Sequence, residues 1–161
     1  MIACPHREIH VVRTLVGDWR ALGLPKGQPR PRAFVRNGRA AVYDSGTAEG
    51  WKGDVARACR DLENRCLVHA LAVKLVFYMP RPKHHLRVNG QLKPASPVFL
   101  HQQKPDADNL AKAVLDALTG IYAWHDDDQV CELTVLKRWE LPGEQAPGCA
   151  ITITTLNEST L

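Results

Sequence analysis

Five segments of the chain carry apolar residues in patterns that are typical of β-strands. One of them contains Asn37-Gly38, a pair that favours a tight hairpin turn. Another, residues 67–79, is mostly apolar and is followed by Pro80, which predicts a central strand that ends there. The last two are joined by a turn that contains Pro142-Gly143. The predicted strands and hairpin cover residues 9–16, 33–43, 67–79, 129–137 and 149–156.

Two further segments carry apolar residues at the spacing of an amphipathic helix. The first runs to about residue 65, with Asp44, Ser45 or Thr47 as its N-cap. The second runs from about residue 107 to residue 119, and Gly120 is its predicted C-cap. The predicted buried stripes consist of Val55, Ala58, Cys59, Leu62 and Cys66 in the first helix and Ala111, Val114, Leu115 and Leu118 in the second.

The order of these elements predicts the fold class α+β, with helices packed on one mixed sheet. A length of 161 residues suits a single domain over residues 1–161. Residues 80–105 form a long basic loop that contains five prolines. Unstructured loops of this length inside a small domain tend to be functional or mobile, so this loop is a candidate for contact with a ligand.

The cysteines and the apolar segments indicate a cytoplasmic protein. The chain has five cysteines, an odd number, and none of them forms a C-x-x-C pair. This argues against a disulfide framework and against a zinc knuckle. No apolar stretch has the length of a signal-peptide core or of a membrane span. We therefore expect reduced thiols and no membrane partner.

The charge is divided unevenly along the chain. Residues 1–105 contain 18 of the 21 Lys and Arg but 7 of the 17 Asp and Glu, and residues 64–105 contain no acid. Residues 106–161 contain 10 acids and 3 bases. A basic part joined to an acidic part suits a protein that grips a polyanion and brings a cation to it. Solubility alone would explain the same asymmetry.

The densest basic segment is a proline-rich loop followed by the predicted hairpin. Its bases have no acid among them, and contacts of such side chains with phosphate would position DNA without selecting a sequence. A solvated basic loop is the alternative. The bases in question are Lys26, Arg30, Arg32, Arg36 and Arg39.

Carboxylates cluster on either side of the second predicted helix. Asp106 and Asp108 lie where the chain enters this helix, and residues 126–128, all aspartate, open the following strand. We expect the two groups to meet at one edge of the sheet, where their mutual repulsion would favour a bound cation. Oxygen ligands suit Mg²⁺ or Mn²⁺. Lys112, four residues after Asp108, would stabilise the charge that develops on a phosphate during hydrolysis.

Each of these features also has a purely structural interpretation. Asp108 would serve as a helix N-cap, Asp108 and Lys112 as a surface ion pair, and residues 126–128 as a turn. An EF-hand is excluded, because Ala111 and Ala117 stand where its loop requires Gly and Glu. The histidines match no zinc spacing. From the residues alone, metal-dependent phosphate chemistry and a structural role both stay open.

The strings KPDADNLAKAVLDALTG, at residues 104–120, and WHDDDQV, at residues 124–130, closely resemble the RusA family of Holliday junction resolvases of bacteria and their prophages. The shared pattern is D-x-D-N, a lysine four residues after the second aspartate, D-A-L and then D-D-x-Q-V. The likeness extends to KGQPR at residues 26–30 and MPRPK at residues 79–83. It covers about residues 25–156 and leaves residues 1–24 as a divergent N-terminal segment.

The resemblance implies a catalytic set in which three aspartates bind the metal ion and a lysine assists catalysis. The aspartate pair of the family falls on Asp126 and Asp127 when the alignment runs without a gap, which leaves Asp128 at a variable position. The implied metal ligands are Asp106, Asp108 and Asp127, and the implied catalytic lysine is Lys112. The expected DNA contacts are Lys26, Arg30, Arg32, Lys104 and Asn109.

The activity that the resemblance implies is Mg²⁺-dependent resolution of four-way (Holliday) DNA junctions in recombination and repair, with Mn²⁺ as a substitute. It further implies a homodimer that nicks two strands and leaves 5′-phosphates that can be ligated. One alternative is a nuclease for flaps or forks. Another is a protein that binds DNA junctions without cleaving them.

Overall fold

The computed structural model describes residues 9–28, 32–36, 39–43 and 48–160 of the chain. Its strands are β1 (Ile9–Leu22), β2 (Arg32–Arg36), β3 (Arg39–Tyr43), β4 (Ala70–Met79), β5 (Val130–Trp139) and β6 (Gly148–Thr160). Its α-helices are α1 (Glu49–Ala58) and α2 (Ala107–Gly120). Short 3₁₀ turns lie at Arg60–Leu62, Lys83–His85 and Asp127–Gln129.

Four of the strands form a mixed sheet in the order β1-β6-β4-β5. Strand β4 pairs in parallel with β5, whereas the other pairs are antiparallel. This confirms the α+β class and the central position of β4. The expectation of a single sheet was wrong, because β2 and β3 pair with each other as a separate two-stranded sheet. The hairpin turn predicted at Asn37-Gly38 lies outside the described residues.

The core lies between the sheet and the two helices. Alternate residues of β4 are buried, as expected for a strand with one face covered. Helix α2 packs on β5 and α1, and α1 also contacts β1. Burial of these apolar side chains is the main force that fixes α2 on the sheet. Among the largest buried side chains are Leu71, Leu75 and Phe77 of β4, Leu110, Val114 and Leu118 of α2, and Val55 of α1.

The ends of both α-helices differ from the predicted ends. Helix α1 ends at Ala58, and the chain continues as a 3₁₀ turn before positive φ angles at Asn64 (61°) and Cys66 (46°) take it out of helical geometry. Cys66, predicted to be buried, is consequently exposed. The N-cap of α1 is Ala48, and the three predicted cap residues lie outside the described part of the chain.

The predicted C-cap at Gly120 was also wrong. Gly120 is the last residue of α2, Ile121 is the C-cap, and Tyr122 adopts a left-handed conformation with φ of 57°. The Ala123 N–H donates to the Leu118 carbonyl (3.1 Å) and the Tyr122 N–H donates to the Thr119 carbonyl (3.0 Å). This pattern is a Schellman motif, here with tyrosine in the position that glycine usually occupies.

The long basic loop at residues 80–105 is held against the sheet by a buried arginine. The Arg81 guanidinium donates to the carbonyl oxygens of Glu140 (2.7 Å), Pro97 (2.6 Å) and Val98. The backbone N–H of Trp139 donates to the Phe99 carbonyl (2.8 Å), which adds this part of the loop to the free edge of β5. Charge-assisted bonds of this kind are stronger than neutral ones, so the loop has a defined path.

Two buried histidines close this loop over Trp139. The His85 and His101 rings lie 5.0 Å and 4.3 Å from the Trp139 ring, centroid to centroid. Burial lowers the pKa of both imidazoles. Electrostatic repulsion from His84, Arg81 and Lys93 lowers the pKa of His85 further. Repulsion from Lys137 does the same for His101. Both side chains are therefore neutral in the folded protein at neutral pH.

We expect the folded state to lose stability as the pH falls below about 6.5, the ordinary pKa of histidine, because the unfolded chain then binds protons that buried His85 and His101 do not accept. Urea unfolding at pH 7.5 and pH 5.5 measures this loss. His85→Gln should reduce the difference between the two pH values. His125→Asn, a change at an exposed histidine, should leave it unchanged. An equal loss of stability between the two pH values in wild type and His85→Gln would contradict the conclusion that His85 is held neutral in the folded state.

Four of the cysteines and both α-helices lie in the described part of the chain. Cys59, Cys66, Cys131 and Cys149 are free thiols. Neither α-helix in the described ranges is long and apolar enough to cross a bilayer.

Candidate active site

The start of α2 presents two of the predicted aspartates. Asp106 is the N-cap residue, with extended backbone and no side-chain capping bond, so its carboxylate is not used to close the helix end. Asp108 lies in the first turn, which removes the interpretation of Asp108 as the N-cap. Asp108, Lys112 and Asp116 follow one another at four-residue intervals and so lie along one side of α2. The apolar stripe of the helix faces the core.

The three consecutive aspartates after α2 have different surroundings. The Asp126 carboxylate accepts a hydrogen bond from the Asp127 N–H (2.7 Å) and thereby caps the short 3₁₀ turn. Asp128 is exposed, whereas Asp127 is half-buried. Of the three, Asp127 lines a cavity with α2. Asp126 therefore stabilises the 3₁₀ turn, whereas Asp127 faces helix α2.

The cavity between α2 and the 3₁₀ turn at Asp127–Gln129, here named the aspartate cavity, has a volume of about 480 Å³. It brings together two predicted metal ligands and the predicted catalytic lysine, which come from two separate parts of the chain. Apolar side chains of α2 and β5 form the rest of its wall. It is lined by Ala107, Asp108, Ala111, Lys112, Leu115, Asp127, Leu133 and Val135.

A chain of alternating charges runs from this cavity to α1. The Lys112 ammonium lies 3.3 Å from one carboxylate oxygen of Asp116, and the Lys52 ammonium lies 3.5 Å from the other. Lys52 also lies 3.3 Å from Glu49. Asp116 and Lys52 were not predicted as site residues. The i,i+4 spacing from Lys112 could have identified Asp116, but Lys52 is brought in by the packing of α1 against α2, which has no local signal.

The charge at Asp127 favours a bound cation. Burial raises the pKa of this carboxyl group, as do its hydrogen bond with Asp126 and the negative charges of Asp126 and Asp116. Lys112 acts in the opposite direction. A carboxylate held among other carboxylates gains most when a positive ion enters the site.

Asp106 lies in a second depression, here named the helix-start groove, with a volume of about 390 Å³. Its lining contains the two residues that we expected to contact DNA in this region, Lys104 and Asn109. The sequence anticipated this grouping, because these residues are neighbours in one motif. The groove is lined by Gly27, Gln28, Lys104, Pro105, Asp106 and Asn109.

The basic N-terminal loop reaches this groove through a close backbone approach. The Gln28 N–H donates to the Asn109 carbonyl (2.8 Å). A Cβ atom on Gly27 would lie 3.0 Å from Asn109 Cβ, so glycine allows the approach. Lys26, next to Gly27, is exposed beside the groove. Arg30 lies outside the described residues, and only the backbone of Arg32 is described.

Lys137 of β5 holds the segment that leads to Asp106. Its ammonium donates to the carbonyl oxygens of Gln103 and Pro105, both at 2.7 Å. These bonds fix the backbone directly before the helix start. Sequence reasoning missed this lysine, because its partners are backbone atoms more than thirty positions away.

The donor chemistry fits a hard divalent cation. Asp108 and Asp127 offer carboxylate oxygens to one cavity, and oxygen ligands are those that Mg²⁺ prefers. Asp106 lines the neighbouring groove. In the described ranges no three His, Cys, Asp or Glu side chains form a group that could hold a metal ion. Ligation by Asp106, Asp108 and Asp127 therefore stays a prediction.

Comparison with known proteins gives a family and one relative. The model of the family described as endodeoxyribonuclease RusA matches residues 23–154. The uncharacterized protein YqaN of Bacillus subtilis (strain 168) is 32% identical over 117 residues, which cover 71% of this chain and 82% of that protein. The matched region contains the aspartate cavity, the helix-start groove and the long loop.

Proposed function

Since the chain belongs to the RusA family of endodeoxyribonucleases, we propose that it resolves four-way DNA junctions by Mg²⁺-dependent hydrolysis of phosphodiester bonds. The observation that carries this proposal is the aspartate cavity, in which Asp108, Lys112 and Asp127 line one space. We assign the metal ligands as Asp106, Asp108 and Asp127. The enzyme would act in recombination and repair in the cytoplasm of a bacterium, encoded by the host or by a prophage.

A divalent cation held by these carboxylates would polarise phosphate oxygens and lower the pKa of a bound water. The protein supplies the remaining requirements. Lys112, with its ammonium 3.3 Å from Asp116, is oriented at the cavity wall and can offset negative charge on the phosphate. Leu115, Leu133 and Val135 form the apolar part of the cavity wall beside these charges.

DNA would lie across the helix-start groove. Lys104 and Asn109 line it and Lys26 stands beside it, so a strand in the groove would pass next to Asp106. Contacts of this kind with phosphate orient the strand. We extend the proposal to Arg30 and Arg32, which follow Lys26 along the chain up to the start of β2.

We further propose a homodimer, because two paired nicks across a junction require two active sites. Strand β1, at the edge of the four-stranded sheet, exposes Val11 (50%), Val12 (49%) and Leu15 (58%), and such apolar side chains are available for contact with a second copy. Light scattering of the purified protein measures its mass in solution.

The substrate preference tests the proposed function. Equal concentrations of a four-way junction, a fork, a flap and a linear duplex are incubated with the protein in Mg²⁺. We expect cleavage of the junction well above that of the other substrates. Comparable cleavage of forks and flaps would contradict the assignment as a junction resolvase and would indicate a general structure-selective nuclease.

A further inference from the structure

We propose that Gln129 is a positioning residue that fixes the loop of Asp126 and Asp127 against the start of β4 and thereby sets the affinity of the aspartate cavity for a divalent cation. This inference rests on the proposed function in so far as it assumes that the cavity binds a metal. It concerns a side chain that does not line the cavity and so acts through the backbone of its neighbours.

The Gln129 side chain makes four hydrogen bonds that connect two parts of the chain. Its Oε1 atom accepts from the backbone N–H groups of His125 (2.8 Å) and Asp126 (3.3 Å). Its Nε2 atom donates to the carbonyl oxygens of Leu67 (2.8 Å) and His69 (3.3 Å), directly before β4. The acidic loop is thus tied across about sixty residues of sequence to the entry of the central strand.

An amide is the side chain that suits this position. The loop presents two N–H donors and the start of β4 presents two carbonyl acceptors. Glutamine can satisfy both sides at once, whereas an ionised glutamate has no donor and a lysine has no acceptor. The four partners also define which end of the amide is oxygen.

The segments on both sides of the acidic loop are already fastened by the backbone. The Leu67 N–H donates to the Ala123 carbonyl (2.9 Å), and Val130 pairs with Leu71 at the start of β5. Between them, three consecutive carboxylates repel one another and favour an open loop. Gln129 opposes this opening at His125 and Asp126, so Asp127 is held toward Lys112 before a cation arrives. Such preorganisation increases affinity because less order has to be imposed on binding.

The test compares Gln129→Ala and Gln129→Glu with wild type and with Gln145→Ala, a control in the β5–β6 turn. Binding of Mn²⁺ to the DNA-free protein is followed by electron paramagnetic resonance, and junction cleavage is measured against Mg²⁺ concentration. We expect both Gln129 variants to raise the Mn²⁺ dissociation constant and the half-saturating Mg²⁺ concentration by about 10- to 100-fold, the usual effect of removing a group that orients metal ligands. Cleavage should largely recover at high Mg²⁺, and junction affinity without metal should not change.

Folded Gln129 variants with wild-type Mn²⁺ affinity would overturn the inference even if wild type cleaves junctions. Weakened Mn²⁺ binding in the variants supports it even if wild type cleaves nothing, in which case the proposed function fails alone. Should the variants not fold, hydrogen exchange in wild type decides. Slow exchange of the His125 and Asp126 amides supports the two bonds that Gln129 Oε1 accepts, and exchange at the rate of an unprotected loop overturns the inference.

Discussion

An Asp127→Asn variant is expected to bind four-way junctions as wild type does and to lose Mg²⁺-dependent cleavage by more than about 100-fold, since changes to groups that merely support metal ligands already cost 10- to 100-fold. Asparagine keeps the shape of the side chain and removes the charge that attracts a cation. Cleavage rate and junction affinity, measured separately, distinguish loss of chemistry from loss of binding.

Asp128→Asn is the matched control for this variant, because Asp128 is the adjacent aspartate and does not line the aspartate cavity. We expect Asp128→Asn to cleave at a rate close to that of wild type. Asp127→Asn should also be no less stable than wild type, since burial and Asp126 disfavour the charge that it removes. Retained cleavage in Asp127→Asn together with its loss in Asp128→Asn would shift the metal ligand by one residue and contradict the assignment.

Lys112→Met is expected to reduce the rate of cleavage by about 10²- to 10³-fold at saturating Mg²⁺, the effect of removing one group that stabilises transition-state charge. Methionine keeps most of the length of the side chain and removes the ammonium together with its contact with Asp116. The measurement is the single-turnover rate on a junction, with Mn²⁺ affinity as a second readout. Lys112→Arg keeps the charge and should recover part of the rate.

Lys52→Met provides the control, because Lys52 contacts the same carboxylate, Asp116, from α1 and does not line the cavity. We expect a small effect on the rate from this change. If both variants lose the same activity, Lys112 acts through the ion-pair chain with Asp116 and not on the phosphate. That outcome would contradict its assignment as a catalytic residue.

The elements that the sequence predicted best are those with long and regular apolar patterns. Strand β4 and helix α2 were found close to their expected positions, because a long apolar run that ends at a proline and an apolar stripe with a period of 3.6 residues leave few alternatives. Helix ends were less predictable. Gly120 was expected to be the C-cap of α2, but Tyr122 takes the left-handed position after the helix, where the Schellman hydrogen bonds form.

The candidate site was predictable where its residues lie in one motif or at helical spacing. The shared cavity of Asp108, Lys112 and Asp127 agrees with that expectation. The supporting residues were not predictable, because their partners are backbone atoms or distant side chains. Arg81 and Lys137 bind carbonyl groups of the long loop, and Lys52 approaches Asp116 across a helix interface. Such contacts depend on tertiary packing, which a periodic pattern does not encode.

The central claim is tested most directly by one measurement on a synthetic four-way junction labelled in turn on each strand, incubated with wild type or Asp108→Asn, with and without Mg²⁺. The predicted result is a pair of symmetric nicks that require Mg²⁺, leave ends that ligase can seal, and disappear in the variant. Junction binding without cleavage in either Mg²⁺ or Mn²⁺ would contradict it, and the protein would then be a junction-binding protein whose acidic cluster is structural.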